Sequence, residues 1–121
     1  MKESGKTYLL TIYRLSNMQA AVHSVDVARA LDFSKPSVSR AMGLLKDARL
    51  IEIAKGGAIT LTKAGAKIAK DLEERVAVLT EFLLMTADVD AKNASDDAEK
   101  MAFTLQDVTY NGICNFVKEV R

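Results

Sequence analysis

The 121-residue sequence predicts a mainly α-helical fold carrying one small β-hairpin. Three observations predict it. Apolar residues recur at helical spacing along most of the chain. One stretch, LIEIAKGGAITLT (residues 50–62), alternates apolar and polar residues on both sides of a glycine pair. The only proline, Pro36, follows two residues after Ser34, where a cap and a first helical turn would put them.

The elements follow in order. Tyr8, Leu9, Ile12, Tyr13 and Leu15 predict a helix over residues 4–17. A break over 17–22 leads to a short extended piece around Val22. Ser24 is the expected cap of a second helix, with Asp26 in its first turn and Val25, Val27, Ala28 and Leu31 along it. Asp32-Phe33 makes a turn. Ser34 caps a third helix whose inward stripe is Val38, Ala41, Leu45 and Ala48, with Met42 and Leu44 on the flanks. Ile51 and Ile53 then pair with Ile59 and Leu61 in a hairpin. Thr62 caps a long helix over 63–86, striped by Ile68, Leu72, Val76, Leu79 and Leu83. Residues 87–95 form a polar connector, and Ser95 starts a helix reaching residue 105. Asp107 caps a last helix that packs Val108, Ile113, Phe116 and Val117 and is weakened by Asn111-Gly112.

Two helices joined by a tight turn and followed by a hairpin make a winged helix-turn-helix. That order accounts for the odd composition of the third helix. Its outer face carries Ser34, Lys35, Pro36, Ser37, Ser39, Arg40, Gly43 and Lys46, where a solvated face is normally built from Glu, Lys and Gln. In such a unit the second helix lies in the DNA major groove and leads with its N-terminal end. Short hydroxyls there donate to phosphates or base edges, and the helix N-terminus favours a phosphate oxygen. Arg40 is placed for a bidentate contact with guanine, and Gly43 lets the backbone approach closely. Lys55, Gly56 and Gly57 form the wing tip.

Charge agrees with this placement. Residues 34–63 hold six cations against Asp47 and Glu52, whereas residues 71–99 hold nine carboxylates against Arg75 and Lys92. The net charge of +1 conceals that asymmetry, which points to an anionic partner for the first section. An enzyme is not expected. The single histidine, His23, has no sequence-level partner of the nucleophile type, and no phosphate-cradling glycine loop or metal-ligand spacing occurs. Cys114, the only cysteine, is expected as a small core residue and excludes an internal disulfide. No signal segment and no membrane-length apolar run is present, so a cytoplasmic location is expected.

YLLTIYRL, SVDVARALDFSKPSVSRAMGLLKDARLIE, ITLTKAG and LTEFL together resemble the diphtheria-toxin-repressor and manganese-transport-regulator family. These are bacterial metal-dependent winged-helix repressors. The resemblance implies a homodimer on an inverted-repeat operator in double-stranded DNA. It divides the chain into a DNA-binding domain over 1–63 and a helical dimerisation region over 64–121, as in the shorter members without a C-terminal barrel domain. It also implies a manganese or iron site between the first helix and the C-terminal helices, but the ligand positions have changed. Thr7 and Leu10 stand at the first-helix carboxylate positions and Val76 at the long-helix histidine. In DAEKMAF, Glu99 is retained while Ala102 and Phe103 replace Glu-His. The expected reading is a repressor-like regulator without the usual metal switch and with no cofactor. Asp96, Asp97, Glu99 and Glu81 offer a different cation site. Two other functions compete: a protein-interaction module on the same frame, and a small-molecule sensor with Leu10, Val76 and Phe103 lining its pocket.

Overall fold

A computed structural model describes residues 3–121. Its elements run α1 (Glu3–Ser16), α2 (Ser24–Leu31), α3 (Lys35–Asp47), β1 (Ile51–Ile53), β2 (Ile59–Leu61), α4 (Lys63–Thr86), α5 (Ala91–Thr104) and α6 (Asp107–Val120). This is the mainly α-helical winged-helix architecture that the sequence predicts. The chain divides into two compact units between Lys70 and Asp71, within α4.

The first unit closes around Leu9 and Ile12 of α1, Val27 of α2, Val38, Met42 and Leu45 of α3, and Ile51 and Ile59 of the strands. The second helix starts differently from expectation. His23, not Ser24, is its N-cap, because the Asp26 carboxylate reaches back and accepts the His23 backbone N–H at 2.8 Å. Asp32 ends α2 in the left-handed region at φ 55°, which a short polar side chain tolerates, and the Phe33 N–H closes the turn on the Ala28 carbonyl at 3.1 Å.

Ser34 caps α3 as expected. Its inward stripe is Val38, Met42 and Leu45, whereas Ala48 is exposed and Ala41 is half-buried. Methionine has more surface to remove from water and three flexible bonds to fill an irregular gap, so the helix turns that flank inward. The helix stops at Arg49, left-handed at φ 63°, with the Leu50 N–H returning to Leu45 at 3.0 Å.

The hairpin is antiparallel in the register Ile51–Leu61, Glu52–Thr60, Ile53–Ile59. Ala54 accepts from Gly57 at 2.8 Å and donates to Ala58 at 2.9 Å. Gly57 has φ 91°, the conformation that closes a three-residue loop and that residues with a Cβ rarely adopt. The extended piece at Val22 is a bridge to β2, with the Ile59 N–H donating to Val22 at 2.7 Å.

Thr62 then ties hairpin to helix. Its hydroxyl donates to the Arg49 carbonyl at 2.8 Å and accepts the Gly65 N–H at 3.1 Å, and its own N–H donates to Leu50 at 3.0 Å.

In the second unit Leu72, Val76 and Leu79 are buried on α4, an alanine stripe (Ala94, Ala98, Ala102) on α5, and Val117 on α6. Asp90 caps α5 through the Asn93 N–H at 2.8 Å, so this helix begins at Ala91 and Ser95 lies inside it. Gln106 flanks α6. Asp107, the expected cap, sits in its first turn and pairs with Arg75. The Arg75 guanidinium lies 4.3 Å from the Tyr110 ring centre, and Phe82 meets Phe116 edge to face at 5.9 Å. The last helix runs unbroken through Asn111-Gly112. Cys114 is half-buried, not a core residue; Val108 is exposed, and Phe116 stays 42% exposed despite its contact with Phe82.

Candidate nucleic-acid interface

The tight turn at Asp32-Phe33 presents the start of α3 outward. Ser34, Lys35, Pro36, Ser37, Ser39, Arg40 and Lys46 are all exposed, while Val38 between them is fully buried. The helix therefore has a clean polarity, apolar side to the core and hydroxyl-and-cation side to solvent. The two leading serines differ. The Ser34 hydroxyl is spent on the fold: it accepts the Ser37 N–H at 3.3 Å and donates to the Ser37 hydroxyl at 2.8 Å. Ser37 thus keeps its own proton for an acceptor outside the chain.

Gly43 is half-buried, and a Cβ there would have nothing within 4 Å. Tight packing inside the chain does not explain it. At the wing, Lys55 and Gly56 are exposed, and a Cβ on Gly57 would lie 3.5 Å from His23 Cδ2, so the imidazole sits beneath the turn. Lys46 and Arg49 line one open groove together with Glu52 and Thr62. Arg49 adds a cation that sequence reasoning did not assign to the site. Its signal was the basic section itself. Leu44, 65% exposed, also lies on the outward side of α3 and was not among the residues expected at the site.

The metal positions implied by the resemblance fare differently. Glu99 is half-buried on α5. Leu10, Val76 and Ala102 are buried side chains without a donor atom. The acidic residues of the alternative cation site are partly engaged: Glu81 accepts from Arg121 Nε at 3.0 Å and Asp96 from Lys92 at 2.9 Å. Among the described residues no three His, Cys, Asp or Glu side chains gather where they would hold a metal ion. A hard divalent cation needs several oxygen or imidazole donors at once, and these residues do not fit it. No helix among the described residues is long and apolar enough to cross a membrane.

Comparison with known proteins places this geometry. Residues 1–59 match the iron dependent repressor N-terminal DNA binding domain, and residues 62–121 match the iron dependent repressor metal binding and dimerisation domain. The chain is 29% identical over 112 residues to the transcriptional regulator MntR of Escherichia coli O6:H1, covering 93% of this chain and 72% of that protein. It superimposes on the manganese regulator SloR with a TM-score of 0.83 at 25% identity, over 94% of this chain and 53% of that one. The metal-dependent transcriptional regulator MtsR shares the fold with a TM-score of 0.86 at 19% identity, over 98% of this chain and 55% of that one. The chain thus spans about half the length of these two solved chains. With both halves matched in order, the chain belongs to the iron-dependent repressor family of metal-dependent, DNA-binding transcriptional repressors.

Proposed function

We propose that this chain is a homodimeric transcriptional regulator that binds an inverted-repeat operator through α3 and the wing and does not use the family's usual metal switch. Residues 1–63 bind DNA and residues 64–121 dimerise. The observation that carries the reading is the outward face of α3, where Ser37, Ser39 and Arg40 are exposed around a buried Val38. Lys35 and the helix N-terminus take phosphate, Arg40 reads a guanine edge, Gly43 admits close approach, and Lys46, Lys55, Gly56 and Gly57 meet the flanking backbone. Ser34 and Pro36 set the helix start that aims these groups.

Dimerisation is supported by apolar surface on α6, where Val108 is 74%, Phe116 42% and Val120 55% exposed. A helix that leaves three large apolar residues in water gains by covering them. Loss of the metal switch is supported by the donor chemistry. Leu10, Val76, Ala102 and Phe103 supply no ligand atoms, and Glu99 is the retained position.

A binding selection on random duplex DNA, with and without Mn²⁺ or Fe²⁺, tests the whole reading. The expected product is a two-fold symmetric site with half-sites about one helical turn apart, selected equally well in either condition. Failure to select any duplex at low salt would leave the protein-interaction reading standing instead. Stoichiometric metal uptake in equilibrium dialysis, with tighter DNA binding, would restore the metal switch.

A further inference from the structure

Leu44 stands on the outward side of α3, outside the helix's core stripe of Val38, Met42 and Leu45. Helical spacing sets it beside Arg40, one turn earlier, and in line with Ser37, two turns earlier. Its neighbour Gly43 carries no side chain, and the space a Cβ would take there is open. At Gly43, on the other side of Arg40, no side chain therefore holds the helix away from a surface.

A branched alkyl group on a solvated helix face gains nothing from water. In the major groove one group rewards such a contact, the C5 methyl of thymine. Guanine and adenine present donors and acceptors there, and cytosine an amino donor beside a bare C5–H with no methyl. We propose that Leu44 is a specificity-determining residue that packs on the methyl of a thymine next to the base pair read by Arg40. The inference rests on the DNA-binding reading above and adds the base that reading leaves unassigned.

The test takes a duplex selected by the full chain and replaces each thymine in turn with deoxyuridine, which removes the methyl and keeps the pairing. One thymine in each half-site, adjacent to the position whose preference is relaxed by Arg40→Ala, should weaken wild-type binding about fourfold, the worth of about one buried methyl-sized group. Leu44→Ala should bind the thymine duplex about fourfold more weakly and be indifferent to deoxyuridine at that site. Uniform tolerance of deoxyuridine by the wild type overturns the proposal while leaving DNA binding intact. So does a Leu44→Ala protein that keeps the wild-type methyl dependence, the result expected if Leu44 instead serves a protein partner. A selection that returns no preferred duplex removes the DNA reading and this inference together. The wild-type deoxyuridine series needs no variant, so its result does not depend on how Leu44→Ala folds.

Discussion

A Cβ on Gly65 would stand 2.0 Å from the carbonyl oxygen of Leu50, so the first turn of α4 meets the entry to the hairpin backbone against backbone. Neither side can yield, because Leu50 also accepts the Thr62 N–H and donates to Leu45. Gly65→Ala should therefore destabilise the fold by about 3 kcal/mol, the upper end of ordinary overpacking. Urea unfolding checks it. A variant within about 0.5 kcal/mol of wild type would mean the contact relaxes freely.

Gly43 is the opposite case. With open space around it in a helix interior, Gly43→Ala should raise stability by about 1 kcal/mol through helix propensity. The same change should weaken operator binding, because the added methyl holds the backbone off the groove. Thermal unfolding and a DNA titration on the same sample read the two effects. Improved stability with unchanged affinity would remove Gly43 from the interface.

Arg40 and Lys55 should separate by what they read. Arg40→Ala should cost about 1–3 kcal/mol on the selected operator and relax preference at one position per half-site. Lys55→Ala should weaken all duplexes alike and reduce the salt slope of log K by about 1. Affinity titrations at several salt concentrations, on specific and scrambled duplexes, distinguish them.

Tyr110 gives a pH signature in the second unit. Burial pushes its hydroxyl up to about 12, helped by its hydrogen bond to Cys114. The folded chain thus keeps a proton that the unfolded chain releases near its ordinary value of about 10. Stability from this group is complete below about pH 10 and falls as pH rises towards about 12. Tyr110→Phe keeps a ring under Arg75 and should lose less stability than wild type between about pH 9 and about pH 11.5. Parallel losses in denaturant titrations would show that Tyr110 is not a source of the alkaline limb.

The helix-turn-helix and wing were legible because their signals are local and chemically strong. Ser34 with Pro36 marks one helix start, and strict alternation about Gly56-Gly57 marks the hairpin. What was misplaced depends on backbone or on bulk that letters do not display. Ser24 is a better capping residue than His23, yet Asp26 decides the matter by bonding a backbone N–H. Ser95 and Asp90 are both good caps, and the stripe that separates them is alanine, whose small apolar surface gives weak periodicity. Met42 displaced Ala48 from the core because volume outweighed ideal spacing. The Gly65 contact joins residues 15 apart in sequence, and only a glycine at an otherwise unfavourable helix position hinted at it.

The hydrogen bond from Ile59 to Val22 fastens the wing to the segment that leads into α2, so β2 is held on both edges. The base of the wing is therefore tied directly to the segment that enters the helix-turn-helix. In the proposed DNA complex this tie sets the span between the groove contact and the wing contact. Such a protein forgives a changed letter within a half-site far more readily than an inserted base pair, which would displace one contact by about 3.4 Å along the duplex.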